Sequence, residues 1–116
     1  MKIIFETDNT EIIGELELNE FSKLFIKQLP IRVKIDDYAA TEKIFYPPFK
    51  LENSDTKTGY KPSAGDISYY APWGNIAIFY KEFSYADGLI YLGKIITGKE
   101  RVKKELSGLV EIRVLD

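Results

Sequence analysis

Residues 66–70 (DISYY) and 75–80 (NIAIFY) are separated by only Ala71-Pro72-Trp73-Gly74. So short a link leaves two extended segments one way to meet, side by side and antiparallel, because a parallel pairing needs a crossover of a dozen or more residues. The proline and glycine in the link are the residues that tight turns favour. The rest of the chain must therefore be compatible with an antiparallel hairpin near its centre.

Most of it repeats the same pattern. Lys2–Glu6 is a short apolar strand, followed by Thr7, Asp8, Asn9 and Thr10, whose side chains bond their own backbone in turns. Residues 11–18 alternate, with Ile12, Gly14, Leu16 and Leu18 on one face and Glu11, Ile13, Glu15 and Glu17 on the other. Ile31, Val33 and Ile35 alternate with Arg32, Lys34 and Asp36. Residues 43–46 form a strand ended by Pro47-Pro48, residues 89–95 another, and Val110, Ile112 and Val114 mark the last.

Two segments change period. After Asn19, a good N-cap, Phe21, Leu24, Phe25 and Leu29 follow at helical spacing, and Pro30 ends the helix predicted over residues 20–29. Thr97-Gly98-Lys99-Glu100 has the spacing of a capping box and opens a predicted helix over 99–106, with Val102 and Leu106 inward and Gly108 beyond its end. Residues 50–64, rich in Asn, Ser, Asp, Thr, Gly and Pro, read as one long, mobile loop. Eight short strands and two helices in one domain over 1–116 point to a mainly β antiparallel sandwich or barrel.

Composition removes several kinds of chemistry. The chain has neither Cys nor His, so disulfides, thiolate nucleophiles and the commonest general base are absent. Its 16 basic and 18 acidic residues are interspersed, which argues against a nucleic-acid partner. No apolar run is long enough for a transmembrane helix, and MKIIFETDNT lacks a signal-peptide core, so no membrane partner and a cytoplasmic location are expected. No cofactor or metal is expected either. Asp36, Asp37, Glu42, Asp66 and Asp87 have no calcium-loop spacing.

The stretches Asp87-Gly88-Leu89-Ile90-Tyr91-Leu92-Gly93-Lys94-Ile95, Ile96 to Lys104, and the hairpin from Gly65 to Tyr80 resemble the back half of a cyclophilin. The order of elements is also the cyclophilin order. Over its whole length the chain is similar to small prokaryotic cyclophilin-like domains. The resemblance implies a closed eight-stranded antiparallel barrel with two short α-helices, and it raises peptidyl-prolyl isomerase activity as an alternative function. Where cyclophilins carry a phenylalanine-histidine-arginine run, however, this chain reads Pro30-Ile31-Arg32-Val33-Lys34. The glutamine and paired phenylalanines of the family's pocket fall roughly on Ile76, Ala77 and Ile78. Arg32 is the one candidate catalytic donor that this comparison leaves, and a solvated strand residue beside Lys34 and Asp36 is the plainer account of it.

The candidate binding residues are aromatic. Among eight Tyr, seven Phe and one Trp, the residues Phe45, Tyr46, Tyr69, Tyr70, Trp73, Phe79 and Tyr80 gather around the central hairpin, with Phe83 and Tyr85 following. Adjacent strand residues face opposite ways, so Tyr69 and Tyr70 cannot both be core. A face between Tyr46, Tyr70 and Trp73, overhung by residues 50–64, would take a small molecule or an extended, proline-containing peptide. The same rings could instead cap the barrel ends, or bury against a second copy of the chain in a homo-oligomer. Lys99, Arg101, Lys103 and Lys104 form a basic stripe that reads as a wet helix face.

Overall fold

The computed structural model describes residues 1–52 and 57–115. The strands are β1 (Lys2–Glu6), β2 (Glu11–Leu16), β3 (Ile31–Tyr38), β4 (Glu42–Phe45), β5 (Asp66–Tyr70), β6 (Asn75–Phe79), β7 (Leu89–Thr97) and β8 (Gly108–Val114). Helix α1 (Glu20–Ile26) lies between β2 and β3, and α2 (Val102–Glu105), led by a 3-10 turn at Lys99–Arg101, lies between β7 and β8. The strands close into an antiparallel barrel in the order β1-β2-β7-β5-β6-β4-β3-β8. Closure leaves no free edge and gives each strand one inner and one outer face. Among the described residues, no helix is long and apolar enough to cross a membrane.

The alternation read in the sequence sets these faces. Ile12, Gly14 and Leu16 of β2 point inward, as do Ile31 and Ile35 of β3, Ile76 and Ile78 of β6, and Val110 and Ile112 of β8. Leu18 lies past the end of β2 and is exposed. The helices plug the two ends. Phe21 of α1 meets Tyr69 at 5.8 Å between ring centroids, and Phe25 meets Phe45 at 6.1 Å, at the end where β5 finishes. Val102 and Leu106 are buried at the opposite end.

The two helix starts differ. Asn19 makes a capping box with Ser22, whose backbone N–H donates to Asn19 Oδ1 at 2.8 Å while Ser22 Oγ accepts from Asn19 N–H at 3.0 Å. The box expected at Thr97 does not form. Thr97 is still paired in β7, opposite Ile13, and left-handed Gly98 turns the chain into a 3-10 start with no side-chain cap. Both helices are also shorter than the apolar spacing predicts. After Ile26 the chain tightens into i→i+3 bonds, from Gln28 N–H to Phe25 and from Leu29 N–H to Ile26.

Gly93 shows how closely the barrel wall is packed. A Cβ there would come within 2.0 Å of the Glu15 carbonyl oxygen and 2.7 Å of Leu16 Cα, both backbone atoms that cannot step aside. Gly108 has nothing within 4 Å of an added Cβ, although its φ is +77°. Gly93→Ala is expected to lower stability by more than about 3 kcal/mol, against about 1 kcal/mol for Gly108→Ala, in chemical denaturation. Equal losses would mean that the β2–β7 contact is not rigid.

Candidate functional site

The outer face of the barrel carries its own apolar cluster. Inward Ile76 and Ile78 alternate along β6 with outward Ala77 and Phe79, which are buried with Leu89 in a group separate from the interior core. Ile44, Tyr60, Tyr70 and Ala86 pack around them. Cross-strand pairing places these residues. Glu42 of β4 lies opposite both Tyr38 of β3 and Phe79 of β6, Ala77 lies opposite Ile44 and Ser68, and Tyr70 lies opposite Leu89.

Over this cluster opens a cleft of about 220 Å³. The strands supply Tyr38, Glu42, Tyr70, Phe79 and Leu89; the β5–β6 turn supplies Trp73; residues Phe83 and Ala86 form the far wall. The turn folds the Trp73 indole back over the sheet, nearly perpendicular to Tyr70 at 5.5 Å and 78° and to Tyr38 at 5.3 Å and 85°. Edge-to-face pairs of this kind are a favoured aromatic geometry. Phe83 tilts against Phe79 at 6.2 Å. This wall is tied down by Tyr60, whose carbonyl accepts from Ala86 N–H at 3.1 Å and whose hydroxyl donates to Asp66 at 3.2 Å and bonds Ser68.

Several sequence-predicted residues go elsewhere. Phe45 and Tyr69 are buried in the barrel core, because their positions in β4 and β5 point inward, and the Tyr69 hydroxyl accepts from Leu51 N–H at 3.1 Å. Tyr46 is exposed but does not line the cleft. Tyr80 turns toward the α2 end, where its hydroxyl donates to Asp37 Oδ1 at 2.5 Å. Arg32 lies near the start of β3 in a polar groove with Glu6, Asp8 and Glu111. Six residues of strand separate it from Tyr38, about 20 Å at the usual rise. Of the overhanging loop, residues 53–56 lie outside the described residues, and Leu51 anchors its start by burial.

Tyr70, Trp73 and Phe79 are therefore the predicted residues that the fold brings together, joined by Tyr38, Glu42, Phe83, Ala86 and Leu89. Tyr38 was legible in principle, since it continues the outward series Arg32, Lys34, Asp36. Leu89 reads as an ordinary strand residue, and no local signal marks Ala86.

The acids of the sequence are dispersed. Asp37 binds Tyr80 and lies 3.5 Å from Lys43 Nζ, which is almost fully buried and donates to Ser107 Oγ at 2.9 Å. The Tyr80 hydrogen bond, helped by Lys43, holds the Asp37 carboxyl below the usual range, while desolvation and Asp37 push Tyr80 up to about 12. Asp66 accepts from Tyr60 and from Ser63 N–H. Glu42 differs. It is partly buried in the cleft, and no hydrogen bond or ion pair from the described residues reaches its carboxylate. Burial, with the Asp37 charge adding to it, pushes the Glu42 carboxyl up to about 7.

A closed eight-stranded antiparallel barrel with a short helix at each end is a cyclophilin-like architecture. A model of the cyclophilin-like family matches residues 5–114, and the chain belongs to that family. The solution structure of a hypothetical protein from Archaeoglobus fulgidus superposes with a TM-score of 0.76 at 18% identity, covering 99% of this chain and 95% of that one. At that identity the likeness is one of fold. No curated protein matches the chain.

Because the folded carboxyl binds its proton more tightly than an unfolded one, Glu42 favours folding most below its ordinary value of 4.5, and this contribution is lost as pH rises to about 7. The melting temperature of the native chain is expected to fall relative to that of Glu42→Gln across this window. Parallel pH profiles would place the carboxyl in water instead. The β3–β4 turn beneath Tyr38 and Glu42 also holds Ala39 and Ala40 at φ of +54° and +51°, a left-handed geometry that disfavours residues with a Cβ. Ala40→Gly is expected to raise stability by about 1 kcal/mol in denaturant titration; a loss would mean that the turn is relaxed with alanine.

Proposed function

We propose that the chain is a binding module whose outer cleft receives a small ligand or an extended peptide segment against Tyr70 and Trp73. One observation carries this reading: Tyr38 and Trp73, 42% and 47% exposed, stand with half-buried Tyr70 over an apolar floor. Exposed rings over buried Phe79 and Leu89 offer contact area at little cost in side-chain freedom. The reading is of binding without efficient prolyl isomerisation. That reaction needs an apolar seat beside a donor that lowers the amide barrier, about 18–20 kcal/mol in the free peptide. The cleft is an apolar seat but has no arginine among the described residues of its lining, and Arg32 stands among acids on another part of the wall.

Trp73 is the chain's one tryptophan, so fluorescence excited selectively in the indole reports on this cleft. Titration with proline-containing peptides and small apolar metabolites is expected to give saturable changes in Trp73 emission, with backbone NMR shifts centred on β4, β5 and β6. Trp73→Ala is expected to weaken binding by about tenfold or more, and Arg32→Ala to leave it unchanged. Shifts confined to β1, β2 and β8 would refute the site. Light scattering that shows a dimer masking Trp73 would make the same surface a self-association face.

A further inference from the structure

We propose that this cleft, read above as a ligand site, selects a free small molecule by an alkylated ammonium head, held among the Tyr38, Tyr70 and Trp73 rings with Glu42 as its counter-charge. The inference rests on that reading and narrows it to one chemical class. Trp73 packs edge-to-face against both tyrosines, and all three residues line the cleft. Aromatic rings attract a cation through their negative faces.

Glu42 supplies the second, independent argument. A partly buried carboxylate with no partner among the described residues is costly to keep, and such a cost is expected where a ligand offsets it. None of the described lining residues is cationic, so nothing among them would balance the charge of an anionic ligand. A neutral ligand would leave the Glu42 charge without a counter-charge. The neighbouring Lys43 is committed to Ser107 and Asp37 at the barrel end and does not compete.

Size and lining choose among cations. At about 220 Å³ the cleft is smaller than most drug-sized sites and suits a head group. Its floor of Phe79 and Leu89 cannot replace the water around a bare ammonium, whereas methyl groups on the nitrogen match that floor and keep the charge.

Choline and 3,3-dimethyl-1-butanol have the same shape and differ at the central atom, nitrogen with its charge or neutral carbon. Both are titrated against Trp73 fluorescence at pH 8, where Glu42 is ionised, with Nα-acetyl-Nε-trimethyllysine amide as a third probe. Choline is expected to bind about tenfold tighter than the alcohol. In Glu42→Gln, whose fold is checked by circular dichroism, that preference is expected to shrink several-fold. Tyr38→Leu, which keeps the carboxylate, is expected to weaken choline more than the alcohol and serves as a second variant. Lowering the pH to 5.5 should act like Glu42→Gln. Of the charged and titratable groups packed around Glu42, Asp37 keeps its charge and Tyr80 its proton in that window, with Lys43 facing Asp37 from the far side.

Equal affinity for choline and the alcohol would overturn the ammonium inference and leave the cleft as a ligand site. If neither probe nor any peptide or metabolite perturbs Trp73, both readings fall. Binding of the trimethyllysine probe more than about tenfold tighter than choline would overturn the assignment to a free small molecule and point to a modified peptide.

Discussion

In a closed barrel a side chain has two destinations. Each strand is bonded on both sides, so no residue can leave through an edge, and the pleat sends neighbours to opposite faces. In this chain that rule divides an unusually aromatic central region between two separate apolar clusters. Phe45 and Tyr69 go in and meet the helix that seals one end. Tyr70, Phe79 and, through the turn, Trp73 go out and build a second cluster on the wall. The outer cluster forms because alternation sends these rings to the face opposite Phe45 and Tyr69.

The same division explains the electrostatics. Glu42 and Lys43 are adjacent in sequence but belong to opposite faces. Lys43 enters the barrel end, where Asp37, Tyr80 and Ser107 satisfy it. Glu42 turns out into an apolar environment and keeps no partner among the described residues. A charge pair that sequence proximity would suggest is thereby split. One half becomes a satisfied structural group, and the other becomes an unbalanced acid in an aromatic cleft.

Much of the fold was legible in the residues. The four-residue link at 71–74 fixed the central hairpin, period-two runs marked the strand faces, and Asn19 with Ser22 started the first helix where expected. The Thr97 box was misleading because strand pairing continued through it, which a local pattern cannot show. The site was legible only in part. Alternation alone separates Tyr69 from Tyr70, but it does not say which strands become neighbours. Tyr38 and Glu42 reach Phe79 only through the β3–β4–β6 order, and Ala86 only through the contact of its loop with Tyr60. Arg32 shares an outer face with Tyr38, and only distance along the strand removes it from the cleft.

The outer cleft depends most on where the Trp73 indole rests. If the turn folds it back over the outer wall, its ring protons lie close to those of both Tyr38 and Tyr70 and away from every methyl group of the interior. Nuclear Overhauser spectroscopy in solution measures this directly. Cross-peaks from the indole to both tyrosine rings are the predicted result. An indole that contacts neither ring, or that shows cross-peaks to Ile76 or Ile78 methyls, would contradict the external cleft.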